Sequence, residues 1–305
     1  MSNRRPPQLR VLGPTLVAAA AGLAGCGGGG DSPPPAPPSL KVVAAGDIAD
    51  CSGGAPSASA AARTAALVAP DDAVVLTLGD NTYPVGAHTE FSDCYHPTWG
   101  AYRSRTRPAP GNHDYATPGA DGYFGYFGTL AGPDRRGWYS FDAGGWHFIS
   151  LNSNVDADPA SVQAQWLAAD LAQSRDALCT IAVWHHPVTS SGLHGNDPKM
   201  ATVLSALHTA GVDVVLNGHD HGYERFARQD ANGVADPARG IRTFVVGTGG
   251  APLYPFPAPR PNSEVRYAGD HGVLRLFLEA DGYRWAFVRA GNGSTFDSGS
   301  DRCHR

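Results

Sequence analysis

Apolar residues along this chain fall in short runs that stop abruptly at glycine. Residues 42–45 run into Gly46-Asp47, and residues 74–78 run into Gly79-Asp80. Residues 180–184, 212–216 and 243–246 are similarly short and mostly apolar, and the last also runs into a glycine. Runs this short and this uniformly apolar predict strands buried on both faces. Between them lie three predicted helices. Residues 57–69 are Ala-rich behind a capping serine, residues 159–174 carry proline in the first turn, and Asp197-Pro198 opens a segment that Gly211 closes. Residues 138–142 and 147–151 flank Gly144-Gly145, and residues 272–280 and 283–288 flank Asp281-Gly282, so each pair reads as neighbouring strands. Residues 81–136 are rich in Gly, Pro and aromatics and predict mostly loop. No unit of about 20–50 residues recurs. Strand–helix–strand units with intervening hairpins place the chain in the α/β class, with a mixed sheet and two sheets packed together.

The first 25 residues follow different rules. Arg4, Arg5 and Arg10 precede an apolar stretch, residues 16–24. That stretch is too short to cross a bilayer, which takes about 20 residues, and it reads as an export signal. It ends in Leu23-Ala24-Gly25-Cys26, which resembles the lipobox of bacterial lipoproteins. The resemblance implies cleavage before Cys26 and lipidation of that cysteine, giving an exported protein held to the membrane, periplasmic or at the cell surface. Residues 27–30 are glycine and residues 33–38 are Pro-rich, a flexible then stiff tether. The expected organisation is a leader over residues 1–25, a tether over 26–40 and a catalytic domain over 41–305. The tether is too short and too rich in Gly and Pro to hold a further β-domain.

Composition narrows the function. The 305 residues are 42% apolar and 17% charged, enough to build a core, and 38 glycines with 25 prolines predict long loops. The net charge of −5 becomes more acidic once the arginines of the leader are removed, and no basic run remains, so nucleic acid is not an expected partner. The twelve histidines cluster.

Five short segments stand out, four of them directly after strand-like runs, and they hold five of these histidines. They are Gly46-Asp47, Gly79-Asp80-Asn81-Thr82-Tyr83, Gly111-Asn112-His113-Asp114, Trp184-His185-His186-Pro187 and Gly218-His219-Asp220-His221. Oxygen and imidazole side chains of this kind suit Zn, Fe or Mn. In open α/β sheets, ligands gather beyond the carboxyl ends of the strands. Glycine before Asp47, Asp80, Asn112 and His219 lets the backbone turn sharply.

In this combination and order the five segments resemble the calcineurin-like metallophosphoesterases and, within them, the purple acid phosphatases. The resemblance covers about residues 41–290. It implies an α/β/β/α sandwich of two mixed β-sheets flanked by helices, with metals at one edge. It places Asp47, Tyr83 and His221 on one metal ion and Asn112, His185 and His219 on the other, with Asp80 bridging. His113 is then left to face the substrate phosphate or the leaving group; Asp114 beside it either orients that ring, the favoured reading, or caps a turn. His194 falls where the purple acid phosphatases carry a substrate-facing histidine. The implied reaction is hydrolysis of phosphate monoesters by a hydroxide held between two ions. Charge selects the metals. Asp47, Asp80, a Tyr83 phenolate and hydroxide carry four negative charges, so Fe(III) with Zn(II), Mn(II) or Fe(II) leaves one positive charge to attract phosphate. A phosphodiesterase or nucleotidase on the same site is the alternative enzyme, and a silent lipoprotein that binds metal or phosphate is the alternative outside enzymes.

The remaining residues have plainer readings. Asn81 and Asp50 read as turn residues. His186, next to His185, points to the opposite face if the strand continues. Arg105 and Arg107 are polar-loop residues, and Tyr223, Glu224 and Arg225 brace a loop. The histidines at 88, 96, 147, 208, 271 and 304 are structural or at the surface. Cys51, Cys94, Cys179 and Cys303 allow three pairings. Because Cys51 and Cys94 each follow a ligand loop, Cys51–Cys94 with Cys179–Cys303 is favoured. No Cys-x-x-Cys exists for a zinc–thiolate site.

Overall fold

The structure is a computed structural model that describes residues 39–177 and 179–304. The leader, Cys26 and nearly all of the tether lie outside the described residues. Thirteen strands are present among the described residues, in two mixed sheets.

The first sheet has the order β13-β12-β11-β1-β2-β3. Its centre is β1 (Leu40–Ala45) and β2 (Val74–Leu78), which pair in parallel, and β3 (Thr106–Ala109) continues the parallel set. On the other side β11 (Gly272–Leu278), β12 (Gly282–Arg289) and β13 (Thr295–Arg302) form an antiparallel meander. The second sheet has the order β10-β8-β9-β7-β6-β5-β4. Here β5 (Trp146–Ser150), β6 (Thr180–Val183), β7 (Val214–Asn217) and β9 (Arg242–Val246) are parallel. The edges are antiparallel: β4 (Tyr139–Ala143) on one side, β8 (Tyr223–Phe226) and β10 (Ser263–Tyr267) on the other.

Side-chain alternation builds three cores from these two sheets. Val42, Ala44, Leu76 and Leu78 of the first sheet meet Phe148, Ile181, Val183 and Leu216 of the second in the central core. Val43, Ala45 and Val75 point the other way, under α1 (Ala60–Ala65) and, beyond the single-turn α2 (His88–Glu90), α3 (Asp121–Phe127). Ile149, Ala182 and Val215 do the same under α4 (Val162–Gln173) and α5 (Ala201–Ala210), meeting Leu167, Leu204 and Leu207. The layers are therefore α/β/β/α, as the resemblance implied. Both central strand sets read as unbroken apolar runs because each is covered on both faces.

The element ends differ from the sequence reading where a cap competes. Ser59, not Ser57, accepts the Ala62 N–H and starts α1, which stops at Ala65. Ser161 caps α4 through Ala164, two residues beyond the proline expected in its first turn. Gly211, at φ 81°, ends α5 as predicted. The strand β3 was not predicted: it has four residues, includes Pro108, and lies at a sheet edge, where a missing N–H is tolerated. Its presence means that all five site segments, not four, follow a strand. Both favoured disulfides are formed, Cys51–Cys94 and Cys179–Cys303.

On β5, away from the site, the buried ring of His147 is clamped between Asp142 (2.7 Å) and Asp170 (2.8 Å), tying the β4–β5 hairpin to α4. Burial pulls its pKa down, but the carboxylates of Asp170 and Asp142 outweigh it and the net shift is upward from 6.5. A raised folded-state value means that the clamp stabilises fully below about pH 6.5 and weakens as pH rises through the higher folded value. The melting temperature of wild type is expected to fall relative to His147→Gln over that upper window. Parallel melting curves for the two proteins from pH 5 to 9 would show that the clamp contributes nothing.

Candidate metal centre

The site lies at the carboxyl ends of the parallel strands. Asp47 follows β1 by two residues, Asp80 follows β2 by two, Asn112 follows β3 by three, His185 follows β6 by two, and His219 follows β7 by two. The loops are stitched to one another: Asp47 N–H donates to Gly79 O, Ile48 N–H to Asp80 O, and Gly218 N–H to His185 O.

Three of the candidate ligands hold the backbone turn themselves. Asp47 (φ 58°), Asp80 (φ 48°) and His219 (φ 73°) all occupy the left-handed region. Non-glycine residues pay about 1–3 kcal/mol there, and such strain collects at functional sites. The preceding glycines serve close approach as much as turning. A Cβ on Gly218 would lie 2.7 Å from Asp47 Oδ2, and one on Gly111 would lie 2.1 Å from Asp80 Oδ1. Gly111→Ala is therefore expected to push the Asp80 carboxylate aside and reduce bound metal to less than half. Undiminished metal content in that variant would contradict it.

The seven expected ligands do converge, in two groups. In the first, the Tyr83 hydroxyl donates to Asp47 Oδ1 at 2.9 Å and lies 3.2 Å from both Asp80 Oδ2 and His221 Nε2. His221 Nε2 is 3.4 Å from Asp47 Oδ1. In the second, His185 Nε2 is 3.2 Å from Asp80 Oδ2, 3.1 Å from Asn112 Oδ1 and 3.3 Å from His219 Nδ1. One atom, Asp80 Oδ2, belongs to both. Two donors each about 2.1 Å from one ion, at right angles, are about 3.0 Å apart, so these spacings fit ion coordination. Asp47, Asp80 and His185 are fully buried and can hold an ion together.

Electrostatics point the same way. The two buried carboxylates raise the proton affinity of the imidazole beside them. Burial lowers the pKa of His185, but Asp80 more than reverses this and raises it to about 9. Burial raises Asp80, yet His185 and His113 hold it well below the usual carboxylate range. The Tyr83 phenol is pushed up by burial and by the carboxylates of Asp47 and Asp80, so it stays protonated unless a close cation reverses the field. On their far sides the rings are anchored, His185 Nδ1 on Leu78 O and His221 Nδ1 on Pro252 O, both at 2.8 Å. Such anchors fix which nitrogen faces an ion.

The non-ligand residues are placed as follows. His113 is half-buried at the mouth, its Nε2 3.9 Å from Asp80 Oδ2 and its Nδ1 2.6 Å from Pro84 O. Its ring is thus set by Pro84, not by Asp114 as expected. Asp114 is buried and accepts N–H groups from Gly111 (2.8 Å) and Asn81 (3.2 Å) and the Asn81 amide (2.9 Å), locking the β3 loop to the β2 loop. Burial and then the charge of Asp80 push it up to about 7. Asn81 is correspondingly a buried brace rather than a turn residue. His194 is exposed, with its ring 4.2 Å from that of His219. His186 also departs from the reading. Because β6 ends at Val183, alternation no longer applies, and its ring lies beside His185 and His219 rather than on the opposite face. Arg105 donates to Pro70 O and Arg107 covers Phe141, so neither meets the site.

Two contributors escaped the sequence reading. Asp220 is buried, accepts the His194 N–H at 2.8 Å and takes the Ser190 hydroxyl, so it holds the loop that carries His194. Its place between His219 and His221 was the available signal: the side chain between two candidate ligands turns away from them. Tyr254 stacks on His221 at 4.9 Å and donates to His219 O at 3.1 Å. It sits in a Gly/Pro-rich loop with no local signature. Glu224 accepts the Ser191 N–H at 2.8 Å, which is the bracing role expected.

Comparison with known proteins places this geometry among relatives. The model of the calcineurin-like phosphoesterase family matches residues 40–223, a stretch that contains every one of the seven expected ligands. Purple acid phosphatase 18 of Arabidopsis thaliana is 34% identical over 156 residues, 48% of this chain and 35% of the plant protein. Purple acid phosphatase 22 of the same plant is 38% identical over 165 residues, 50% of this chain and 37% of the relative. The match thus spans little more than a third of these curated relatives. A purple acid phosphatase from seeds of yellow lupin (Lupinus luteus) shares the fold, with a TM-score of 0.65 at 20% identity over 86% of this chain and 53% of the lupin chain.

Proposed function

Since this chain belongs to the calcineurin-like phosphoesterase family, we propose that it is an exported, metal-dependent phosphatase that hydrolyses phosphate monoesters at a dinuclear centre. The observation that carries this is the single oxygen, Asp80 Oδ2, shared by two ligand groups. The first ion would be held by Asp47, Tyr83 and His221, the second by Asn112, His185 and His219, with Asp80 common to both. When bound, the ion pair supplies Lewis acidity at the phosphate and acidifies the attacking water.

This chain's residues do the rest. His113, with Nδ1 engaged by Pro84 O, presents Nε2 to the mouth of the site and can deliver a proton to the leaving oxygen. His194, held through its backbone by Asp220, faces the substrate from the side of His219. Asp114 keeps the two ligand loops in register.

The donor chemistry favours Fe(III) in the first group. Two carboxylates and a phenol are hard oxygen ligands, and a phenol held protonated by burial and two carboxylates needs a highly charged neighbour to ionise. The imidazoles and amide of the second group suit Zn(II), Mn(II) or Fe(II). The two disulfides support an oxidising compartment, and Cys26 would carry the lipid anchor.

The test is metal analysis together with turnover of p-nitrophenyl phosphate. The full chain is expected to hold two ions, iron among them, to absorb in the visible through a phenolate–iron bond, and to release nitrophenol until chelated. A chain holding two ions that releases none between about pH 4 and 9 would overturn the phosphatase reading. A colourless, iron-free and fully active protein would overturn the iron assignment alone.

A further inference from the structure

The three histidines of the two ligand groups are not held alike. His185 and His221 each rest a ring nitrogen on a backbone carbonyl, at 2.8 Å. His219 has no such anchor: its Nδ1 faces His185 Nε2 at 3.3 Å, and among the described residues no carbonyl or carboxylate is hydrogen-bonded to its Nε2. Its ring is held between two further imidazoles instead. His194 lies over it at 4.2 Å with planes 32° apart, and His186 lies against it at 4.5 Å with planes 55° apart. His194 is exposed on a loop, so it is the weaker wall.

His186 is the firmer one. Its ring also stands edge-on to His185, at 4.9 Å and 81°. It is pinned by Ser153, a fully buried residue just beyond β5, whose Oγ lies 2.7 Å from His186 Nδ1 and accepts the His186 N–H at 3.2 Å. A ligand nitrogen of His186 lies within 4.8 Å of those of His185 and His219.

We infer that His186, pinned by Ser153, is a positioning residue that sets the ring of His219 and thereby the affinity of the second ion. The inference rests on the dinuclear reading above. A ligand imidazole without a hydrogen-bonded far side can turn about its Cβ–Cγ bond, and each orientation that aims Nδ1 elsewhere weakens the ion. Partners that fix a ligand ring are typically worth about 10–100-fold in metal affinity. Packing from His186 supplies here what a carbonyl supplies to His185 and His221.

The experiment counts bound cobalt(II) per metal-free full-length chain as free cobalt(II) is raised. Wild type is expected to fill two sites. His186→Ala should fill one of them normally and the other only at about 10–100-fold higher free ion. His186→Phe keeps a flat ring against His219 and should recover part of that loss. Ser153→Ala should show a smaller loss at the same site. Unchanged affinity at both sites in His186→Ala, or equal weakening of both, would overturn the inference and leave the dinuclear reading standing. Should His186→Ala fail to fold, unchanged affinities in Ser153→Ala would overturn it equally. A wild-type chain that takes up fewer than two ions would remove the dinuclear reading and this inference with it.

Discussion

Asp80→Ala is expected to strip both metal ions and to lower phosphatase turnover by at least about 10³-fold, the equivalent of the several kcal/mol that ions contribute to such a transition state. The reason is the double use of one carboxylate. Its Oδ2 lies 3.2 Å from both Tyr83 Oη and His185 Nε2, while its Oδ1 accepts the His113 N–H at 2.8 Å. This one oxygen approaches a candidate ligand atom of each group, so both groups lose a donor when it is removed. Melting curves give a readout independent of activity. An ion that binds only the folded chain stabilises it by about 2.7 kcal/mol at a hundredfold excess over its Kd. Chelator should therefore lower the melting temperature of wild type and leave that of Asp80→Asn nearly unchanged. Two ions per chain in Asp80→Ala would show that the shared oxygen is not what joins the groups.

His113→Ala should behave in the opposite way, keeping both ions while losing about 10²–10⁴-fold in rate, the range for a general acid. The ring contributes no atom to either ligand group: Nε2 stays 3.9 Å from Asp80, and the ring packs 4.4 Å from that of Tyr83 at the open mouth. The loss should be greater for an alkyl phosphate than for p-nitrophenyl phosphate, because a poor leaving oxygen depends more on an incoming proton. Equal losses for both substrates would argue that His113 binds phosphate instead of donating a proton. Loss of metal would place it among the ligands.

These predictions draw on residues whose legibility differed. The ends of β1 and β2 could be read directly, since an apolar run ending in Gly-Asp is a local pattern that any window of the chain displays. Helix starts lay two or three residues further on than the reading placed them, since Ser59 rather than Ser57 caps α1 and α4 begins after Ser161 rather than at Pro159. The edge strand β3 was invisible because its four residues, one a proline, form no run, and its pairing with β2 is the work of register. His186 was misplaced because strand alternation was extended past Val183, where the strand had already ended. Asp114 was assigned to its sequence neighbour His113, whereas its carboxylate reaches back to Gly111 and across to Asn81.

By itself, then, the chain's order of residues determined the fold class and the five short segments, and its resemblance to a known family named the candidate ligands. The fold class and the segments follow from periodicity, turn chemistry and side-chain type, all of which act over a few residues. Only the tertiary structure decided which oxygen is shared, which carbonyl sets each histidine ring, and that His186 and Tyr254 wall the site. These are matters of a few tenths of an ångström between loops far apart in sequence, fixed by how two twisted sheets pack face to face.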